Sequence, residues 1–143
     1  VVCLQETKCE DELFPTELLT GLGYHCTVFG QKTYNGVALL SRSPATEVQR
    51  GFGDGDPDPQ ARFIAATIDG VRVASVYVPN GGEPGSDKYA YKLAFLQRLR
   101  RWLDDPAALQ RARQSAWDIA TRRYNWECEQ THLLTALARV LTS

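Results

Sequence analysis

The sequence predicts a mixed α/β domain followed by a helical pair, and three observations lead to this class. Short β-rich runs bounded by glycine and proline fill roughly the first 80 residues, a pattern typical of strands and turns. From Lys88 the apolar residues follow helical spacing instead; they are Tyr89, Leu93, Leu96, Leu99 and Leu103. Asp104-Asp105-Pro106 ends that helix, and two further helical segments are predicted at 107–123 and 126–141. Strands come first and helices last, which favours a mixed α/β class with a helical tail.

The N-terminal third of the chain predicts strands around one short helix. The predicted elements are a buried strand at VVCLQ (1–5), a helix within FPTELLTGLG (14–23), and strands at YHCTVFG (24–30), NGVALLS (35–41) and ATEVQRG (45–51). We expect the last two strands to pair with each other across the Ser43-Pro44 turn.

The clearest hairpin is ARFIAATIDGVRVASVYVP (61–79), whose two β-rich runs flank Asp69-Gly70. This dipeptide suits a type I′ turn because both central positions need positive φ. Glycine-rich loops precede and follow the hairpin at 51–60 and 80–86, and Asp87 is a candidate cap for the next helix. Alternation places four residues of the second run on one face: Val71, Val73, Ser75 and Tyr77.

Composition excludes several classes of protein. The 143 residues carry 16 Lys and Arg against 17 Asp and Glu, so no polybasic arm is present, although a local basic groove stays open. No apolar run approaches the roughly 20 residues of a membrane helix, and no secretory pattern is seen, so we expect a cytoplasmic protein without membrane partners. The chain contains no methionine, which we interpret as the mark of a fragment or of a processed or engineered product. Cys3 and Cys26 lie in apolar runs typical of reduced core thiols.

Taken alone, the candidate functional residues each allow a structural interpretation. Glu6 ends the first strand, where a carboxylate can hold Mg²⁺ or simply be solvated. Tyr77 and Asn80 could hydrogen-bond a phosphate, or serve as a packing aromatic and a turn residue. The basic cluster on the Lys88 helix is interpreted as a solvated face rather than a nucleic-acid contact; its members are Arg98, Arg100 and Arg101. Both histidines, His25 and His132, are interpreted as structural or surface residues.

Four segments in the same order resemble exodeoxyribonuclease III, of the AP endonuclease branch of the endonuclease/exonuclease/phosphatase superfamily. The segments are LQETK (4–8), YNGVALLSR (34–42), QARFIAATIDGVRVASVYVPNG (60–81) and DKYAYKLAFLQRLRRWL (87–103). The resemblance covers about residues 1–105. It implies an incomplete form of the family's α/β sandwich, in which two sheets are stacked between helices.

The resemblance also implies a function. The family cleaves DNA phosphodiesters with Mg²⁺ or Mn²⁺, nicking double-stranded DNA at abasic sites and trimming 3′ ends, including 3′-phosphates. By motif position Glu6 would bind the metal, and Tyr77 and Asn80 would contact the scissile phosphate. The implied DNA-binding residues are Tyr34, Asn35 and Arg62.

Other parts of the family pattern are missing from the sequence. The segments that would supply the water-activating Asp and Asn, and a later Asp-His pair, have no counterpart, so we expect this chain to be inactive as it stands. Residues 106–143 are expected to be a tail of different origin, with a weak resemblance to the final helices of two-lobed glycosyltransferases. The alternative function is a non-catalytic hybrid whose tail helices cover an exposed half-sheet. An exposed sheet edge is also expected to favour self-association.

Overall fold

In the computed structural model, the chain divides into two compact units, Val1–Asp105 and Pro106–Ser143. The described residues are 1–104, 110, 113–114, 117–118, 120–122, 130–131 and 134–135. Those of the second unit are helical, and the rest of the predicted helices 107–123 and 126–141 lies outside the described residues. The separate origin of 106–143 therefore stays a prediction.

Within residues 1–104, six strands form two antiparallel three-stranded sheets. The strands are β1 (Val2–Gln5), β2 (His25–Phe29), β3 (Val37–Ser41), β4 (Ala45–Arg50), β5 (Phe63–Ile68) and β6 (Val71–Val76). The strand orders are β1-β3-β2 in the first sheet and β4-β5-β6 in the second. The helices are α1 (Thr16–Gly21), α2 (Asp87–Leu103) and a 3₁₀ turn at Asp11–Leu13.

The two sheets pack face to face between the two α-helices. Between the sheets, Val37 and Leu39 of β3 pack with Ile64 and Ala66 of β5, and all four are fully buried. The outer face of the first sheet is covered by residues around α1, including Phe14 and Leu19. The outer face of the second sheet is covered from α2 by Phe95, Leu99 and Trp102. This helix–sheet–sheet–helix order confirms the predicted α/β sandwich.

The β5–β6 hairpin confirms the turn prediction. Asp69 and Gly70 have φ values of 50° and 78°, and Ile68 pairs with Val71 across the turn. The predicted alternation of β6 is also observed, because Val73 and Tyr77 pack between the sheets whereas Ala74 and Val76 pack toward α2.

The predicted pairing of ATEVQRG with NGVALLS is wrong. Strand β4 pairs with β5 instead, with Ala45 opposite Ile68. Both edges of β3 are already occupied, since β1 pairs on one side and β2 on the other. The segment after β3 carries the chain to the second sheet, where the Ser43 hydroxyl donates to the Asp69 carboxylate at 3.0 Å.

The first strand is not buried as predicted. It is an edge strand, paired with β3, and Val1 and Val2 are 66% and 44% exposed. The interpretation of Cys3 as a core thiol is also wrong, since Cys3 is exposed, whereas Cys26 is half-buried. Apolar side chains on an edge strand favour pairing with another chain, and the expected self-association stays a prediction.

The predicted apolar face of α2 is also wrong in part. Leu93, Leu96 and Leu103 are exposed, and Phe95 is the residue that is fully buried. Aromatic contacts explain the change of face: the Phe95 ring lies 5.0 Å from the Phe52 ring, between ring centroids. The helix cap differs as well, since the Ser86 hydroxyl, rather than Asp87, accepts from the Tyr89 amide at 3.2 Å; the predicted cap was one residue too late.

Among the described residues, no helix has the length and apolar character that crossing a membrane requires. The cytoplasmic location stays a prediction.

Candidate active site

Glu6 and Tyr77 come together where two strands from different sheets end. Glu6 follows β1, and Tyr77 follows β6. The Ser75 hydroxyl donates to the Leu4 carbonyl at 3.0 Å, which ties these strands to each other. As a result the Tyr77 hydroxyl donates to Glu6 Oε1. The structure thus joins two residues that are 71 positions apart in the sequence.

The backbone around Glu6 adopts an unusual conformation. Glu6 and Lys8 have φ values of 55° and 54°, in the left-handed region that non-glycine residues rarely occupy. Two hydrogen bonds hold this segment, from the Thr7 amide to the Gly36 carbonyl at 3.3 Å and from the Lys8 amide to the Asn35 carbonyl at 2.9 Å. Such conformations cost energy and cluster at functional sites, where the surrounding structure enforces them.

Gly36 is required for this close approach. Its φ is 88°, and a Cβ atom at this position would lie 2.0 Å from Thr7 Oγ1. Hence only glycine can occupy the position without moving the chain segment that carries Glu6.

The charges around Glu6 keep its carboxylate ionised. Its pKa lies below the ordinary value, mainly because Tyr77 donates a hydrogen bond and secondly because Lys8 is close. Lys8 Nζ lies 3.1 Å from Glu6 Oε2, and both side chains are about half exposed. The same hydrogen bond raises the pKa of Tyr77. The site therefore presents an anionic carboxylate and a protonated phenol at neutral pH.

Arg62 packs against Tyr77 rather than extending outward. Its guanidinium carbon lies 4.5 Å from the centre of the Tyr77 ring, and Nη1 donates to the Tyr77 carbonyl at 3.3 Å. Its Nε donates to Gln60 Oε1 at 2.6 Å. The structure thus brings Arg62 to the Glu6–Tyr77 pair, and its predicted contact with DNA stays a prediction.

Asn35 and Tyr34 are neighbours in the chain with different environments. Asn35 is buried, and its amide nitrogen donates to Gln31 Oε1 at 2.8 Å and to Gln60 Oε1 at 3.4 Å. Tyr34 is 69% exposed, as a side chain that stacks on a nucleic acid would be. The DNA-binding roles of both residues stay predictions.

Asn80 is exposed, and its side chain bonds within its own loop. Its Oδ1 accepts from the Gly82 amide at 3.1 Å. Among the described contacts, none joins Asn80 to Glu6 or Tyr77, so this predicted partner is not brought into the same hydrogen-bonded group.

The solvated-face interpretation of the basic cluster is wrong for Arg98. Its side chain is 11% exposed, and Nε and Nη2 donate to both carboxylate oxygens of Asp54 at 2.8 and 2.7 Å. Its Nη1 lies 3.6 Å from the Asp58 carboxylate. This ion-pair cluster lowers the pKa of Asp54 to about 2. It fixes the acidic 51–60 loop against α2; Arg100 and Arg101 are exposed, as predicted.

The sequence interpretation missed Lys8 and Gln60 as parts of the site. Both lie inside motifs quoted above, LQETK and QARFI, so their positions were visible. Their contacts were not visible in the sequence, because these contacts depend on the left-handed backbone at Glu6 and on the packing of Arg62 against the Tyr77 ring.

The carboxylate at the site suits a magnesium ion whose other ligands are water molecules and substrate phosphate oxygens. The described residues contain no group of three or more His, Cys, Asp and Glu side chains placed to hold a metal. Mg²⁺ is commonly bound through one or two carboxylates together with waters and substrate phosphates. The half-exposed carboxylate of Glu6 suits that mode rather than a site built from protein ligands alone.

The chain belongs to the endonuclease/exonuclease/phosphatase family, whose sequence model matches residues 1–126. Within it, the chain is similar to exodeoxyribonuclease III of Haemophilus influenzae, with 36% identity over 109 residues, covering 73% of this chain and 41% of the relative.

Solved structures show the same relationship. A 3′ phosphatase from Neisseria bound to a product DNA hairpin matches with a TM-score of 0.69 and 45% identity, over 72% of this chain and 40% of that one. An AP endonuclease from Archaeoglobus fulgidus matches with a TM-score of 0.68 and 40% identity, over 73% and 40% of the two chains. The predicted resemblance is confirmed, and the chain spans about two fifths of the length of these relatives. The suggested glycosyltransferase resemblance of the tail finds no support.

Proposed function

We propose that this chain carries the Glu6 half of a DNA-repair nuclease site. The complete site would hydrolyse phosphodiesters in double-stranded DNA at abasic sites and 3′ ends with Mg²⁺ or Mn²⁺, and the chain by itself would be inactive because the water-activating segments are missing. The observation that carries the proposal is the hydrogen bond from Tyr77 to Glu6 at adjoining strand ends. Family membership and relatives of the exodeoxyribonuclease III and AP endonuclease types support the same reaction class.

Each residue has a distinct role in this proposal. Glu6 would hold the divalent ion, which supplies charge neutralisation at the phosphate. The protonated Tyr77 hydroxyl would donate to a phosphate oxygen, as would the exposed Asn80 amide. Lys8 would add positive charge beside the same phosphate, and Tyr34 would stack on DNA.

The orientation of Tyr77 supports this assignment. The apolar cluster between the sheets packs against the Tyr77 ring, and the Arg62 guanidinium lies over it. A ring held in this way keeps its hydroxyl beside the Glu6 carboxylate. Because the hydroxyl has a single proton, it would donate to a phosphate oxygen in place of Glu6 once Glu6 holds the ion, and a donor already positioned there stabilises the charge on the phosphate.

A nicking assay tests the proposal. The purified chain is incubated with an abasic-site duplex and Mg²⁺, with and without EDTA, together with Glu6→Gln and Glu6→Ala. The matched control is Glu17→Gln, because Glu17 is an exposed carboxylate on α1. We expect no nicking by the unaltered chain; EDTA-sensitive nicking that is lost in both Glu6 variants and kept in the control would show that the chain holds a complete site, and nicking unchanged by Glu6→Gln contradicts the proposal.

A non-catalytic module is the second candidate function. The observation that favours it is that Lys8 and Tyr77 each contact one oxygen of the Glu6 carboxylate, while the described residues contain no further cluster of metal-binding side chains. As such a module, the chain would bind a partner without cleaving DNA. Fluorescence anisotropy with a labelled abasic duplex separates the candidates: the half site predicts duplex binding that Mg²⁺ strengthens and Glu6→Gln weakens, whereas the module predicts no effect of either.

A further inference from the structure

We infer that Gln60 is a positioning residue, whose side-chain oxygen fixes Arg62 over Tyr77 and thereby directs the Tyr77 hydroxyl at Glu6. The inference deepens the proposed function, and it rests on that function for the consequence of this positioning in DNA cleavage.

Gln60 supplies the shortest hydrogen bond of the Arg62 side chain. Gln60 Oε1 accepts from Arg62 Nε at 2.6 Å, whereas Arg62 Nη1 reaches the Tyr77 carbonyl at 3.3 Å. The same oxygen accepts from Asn35 Nδ2 at 3.4 Å. Gln60 Oε1 therefore connects Asn35, whose carbonyl accepts from the Lys8 amide, to Arg62, which lies over the Tyr77 ring. Without this acceptor, the guanidinium would keep the longer hydrogen bond to the Tyr77 carbonyl, the contact with the Tyr77 ring and its interaction with Tyr91, and it would be held less firmly.

The backbone of Gln60 is itself held by the 51–60 loop. Its backbone N–H donates to Asp58 Oδ1 at 2.9 Å, and that oxygen also accepts from the Tyr91 hydroxyl at 2.9 Å. The Asp58 side chain is 5% exposed, and Arg98 lies 3.6 Å away. A continuous chain of polar contacts therefore runs from α2 through the 51–60 loop to the candidate site. Networks of this kind can fix a side chain more firmly than their separate bonds suggest.

The ring of Tyr77 depends on both of its neighbours for its orientation. One neighbour is the apolar cluster between the sheets, and the other is the Arg62 guanidinium. If Arg62 moves, the ring gains freedom and the hydrogen bond to Glu6 weakens. The nuclear Overhauser contact between the Arg62 Nε proton and the Tyr77 ring reports this change directly, because the guanidinium carbon lies 4.5 Å from the ring centre.

The test is a nuclear Overhauser measurement between the Arg62 Nε proton and the Tyr77 ring in the full chain, in Gln60→Leu and in Gln97→Leu. Gln97 is a matched control because it is exposed on α2. We expect Gln60→Leu to weaken or abolish this contact, because Arg62 loses its 2.6 Å hydrogen bond to Gln60. The control should leave the contact unchanged. An unchanged contact in a folded Gln60→Leu chain overturns the positioning role.

A second variant keeps the test decisive if Gln60→Leu fails to fold. Gln60→Glu retains an acceptor for Arg62, so the nuclear Overhauser contact between the Arg62 Nε proton and the Tyr77 ring should persist. Loss of that contact in Gln60→Glu contradicts the inference. This readout needs no DNA, metal or turnover, so duplex binding that is unaffected by Mg²⁺ and by Glu6→Gln would overturn the proposed function and not the positioning role.

Discussion

Replacing Arg98 with methionine should strongly destabilise the first unit. The substitution retains much of the apolar stem and removes the cation, which makes two hydrogen bonds to Asp54 and lies 3.6 Å from Asp58. The Asp58 carboxylate is 5% exposed and would be left without its positive partner. Removing one partner of a buried ion pair lowers the free energy of unfolding by about 3–5 kcal/mol.

The lower end of that range is expected here, because Asp58 keeps two hydrogen bonds, from the Tyr91 hydroxyl and from the Gln60 backbone N–H. A loss of about 3 kcal/mol corresponds to a fall in Tm of roughly 15 °C for a unit of this size. Urea unfolding at pH 7 measures the free energy, and the expected change lies in the midpoint rather than in the slope.

Arg100→Met is the matched control for Arg98→Met. Arg100 is 83% exposed and pairs with Asp104 one helical turn away at 3.4 Å, so its loss should cost at most about 0.5 kcal/mol. Equal losses of unfolding free energy in Arg98→Met and Arg100→Met would refute the stabilising role of the Arg98 ion pairs.

The pH dependence of Arg98→Met follows from Asp54. Its pKa is lowered in the folded state from 3.8 to about 2, so its stabilisation is fully present above pH 3.8 and is lost as the pH falls to about 2. The difference between the unaltered chain and Arg98→Met should therefore shrink across this interval. A difference that stays constant from pH 5 to pH 2 would contradict the assignment.

Three further predictions concern the core and the site. Gly36→Ala should destabilise the chain by about 2 kcal/mol or more in urea unfolding, because its Cβ would collide with Thr7 at a positive φ; a change below about 0.5 kcal/mol would contradict this. Phe95→Ala should cost about 3–5 kcal/mol by the same measurement, because Phe95 is 1% exposed, and a urea midpoint close to the original would place it outside the core. Lys8→Met should raise the pKa of the Glu6 carboxyl in an NMR titration, since Lys8 lowers it; an unchanged value would mean that the ion pair is absent in solution.

Local sequence signals were sufficient for much of the fold. The Asp69-Gly70 turn and the alternation along β6 are properties of a few adjacent residues, and both are observed. The pairing of β4 was not predictable in this way. It depends on β3 already having two neighbours, which no local pattern reveals. The buried face of α2 likewise depends on aromatic partners from the 51–60 loop and β5.

The candidate site was likewise predictable from the sequence only in part. Glu6 and Tyr77 could be identified from the order of family-like motifs, and the structure joins them. The network of Gln60, Arg62 and Asn35 could not be identified, because amide and guanidinium side chains show no periodicity in sequence. Arg98 was misinterpreted for a similar reason, since its position on a helix does not disclose the acidic loop that folds over it.

Binding of Mn²⁺ tests whether Glu6 is the divalent-metal ligand of a nuclease-type site. Electron paramagnetic resonance of free Mn²⁺ is recorded while each protein is added: the unaltered chain, Glu6→Gln and Glu17→Gln. We expect the unaltered chain and Glu17→Gln to reduce the free Mn²⁺ signal equally, Mg²⁺ to reverse the effect, and Glu6→Gln to bind Mn²⁺ at least about tenfold more weakly. Equal Mn²⁺ binding by Glu6→Gln and the unaltered chain would rule out Glu6 as the ligand.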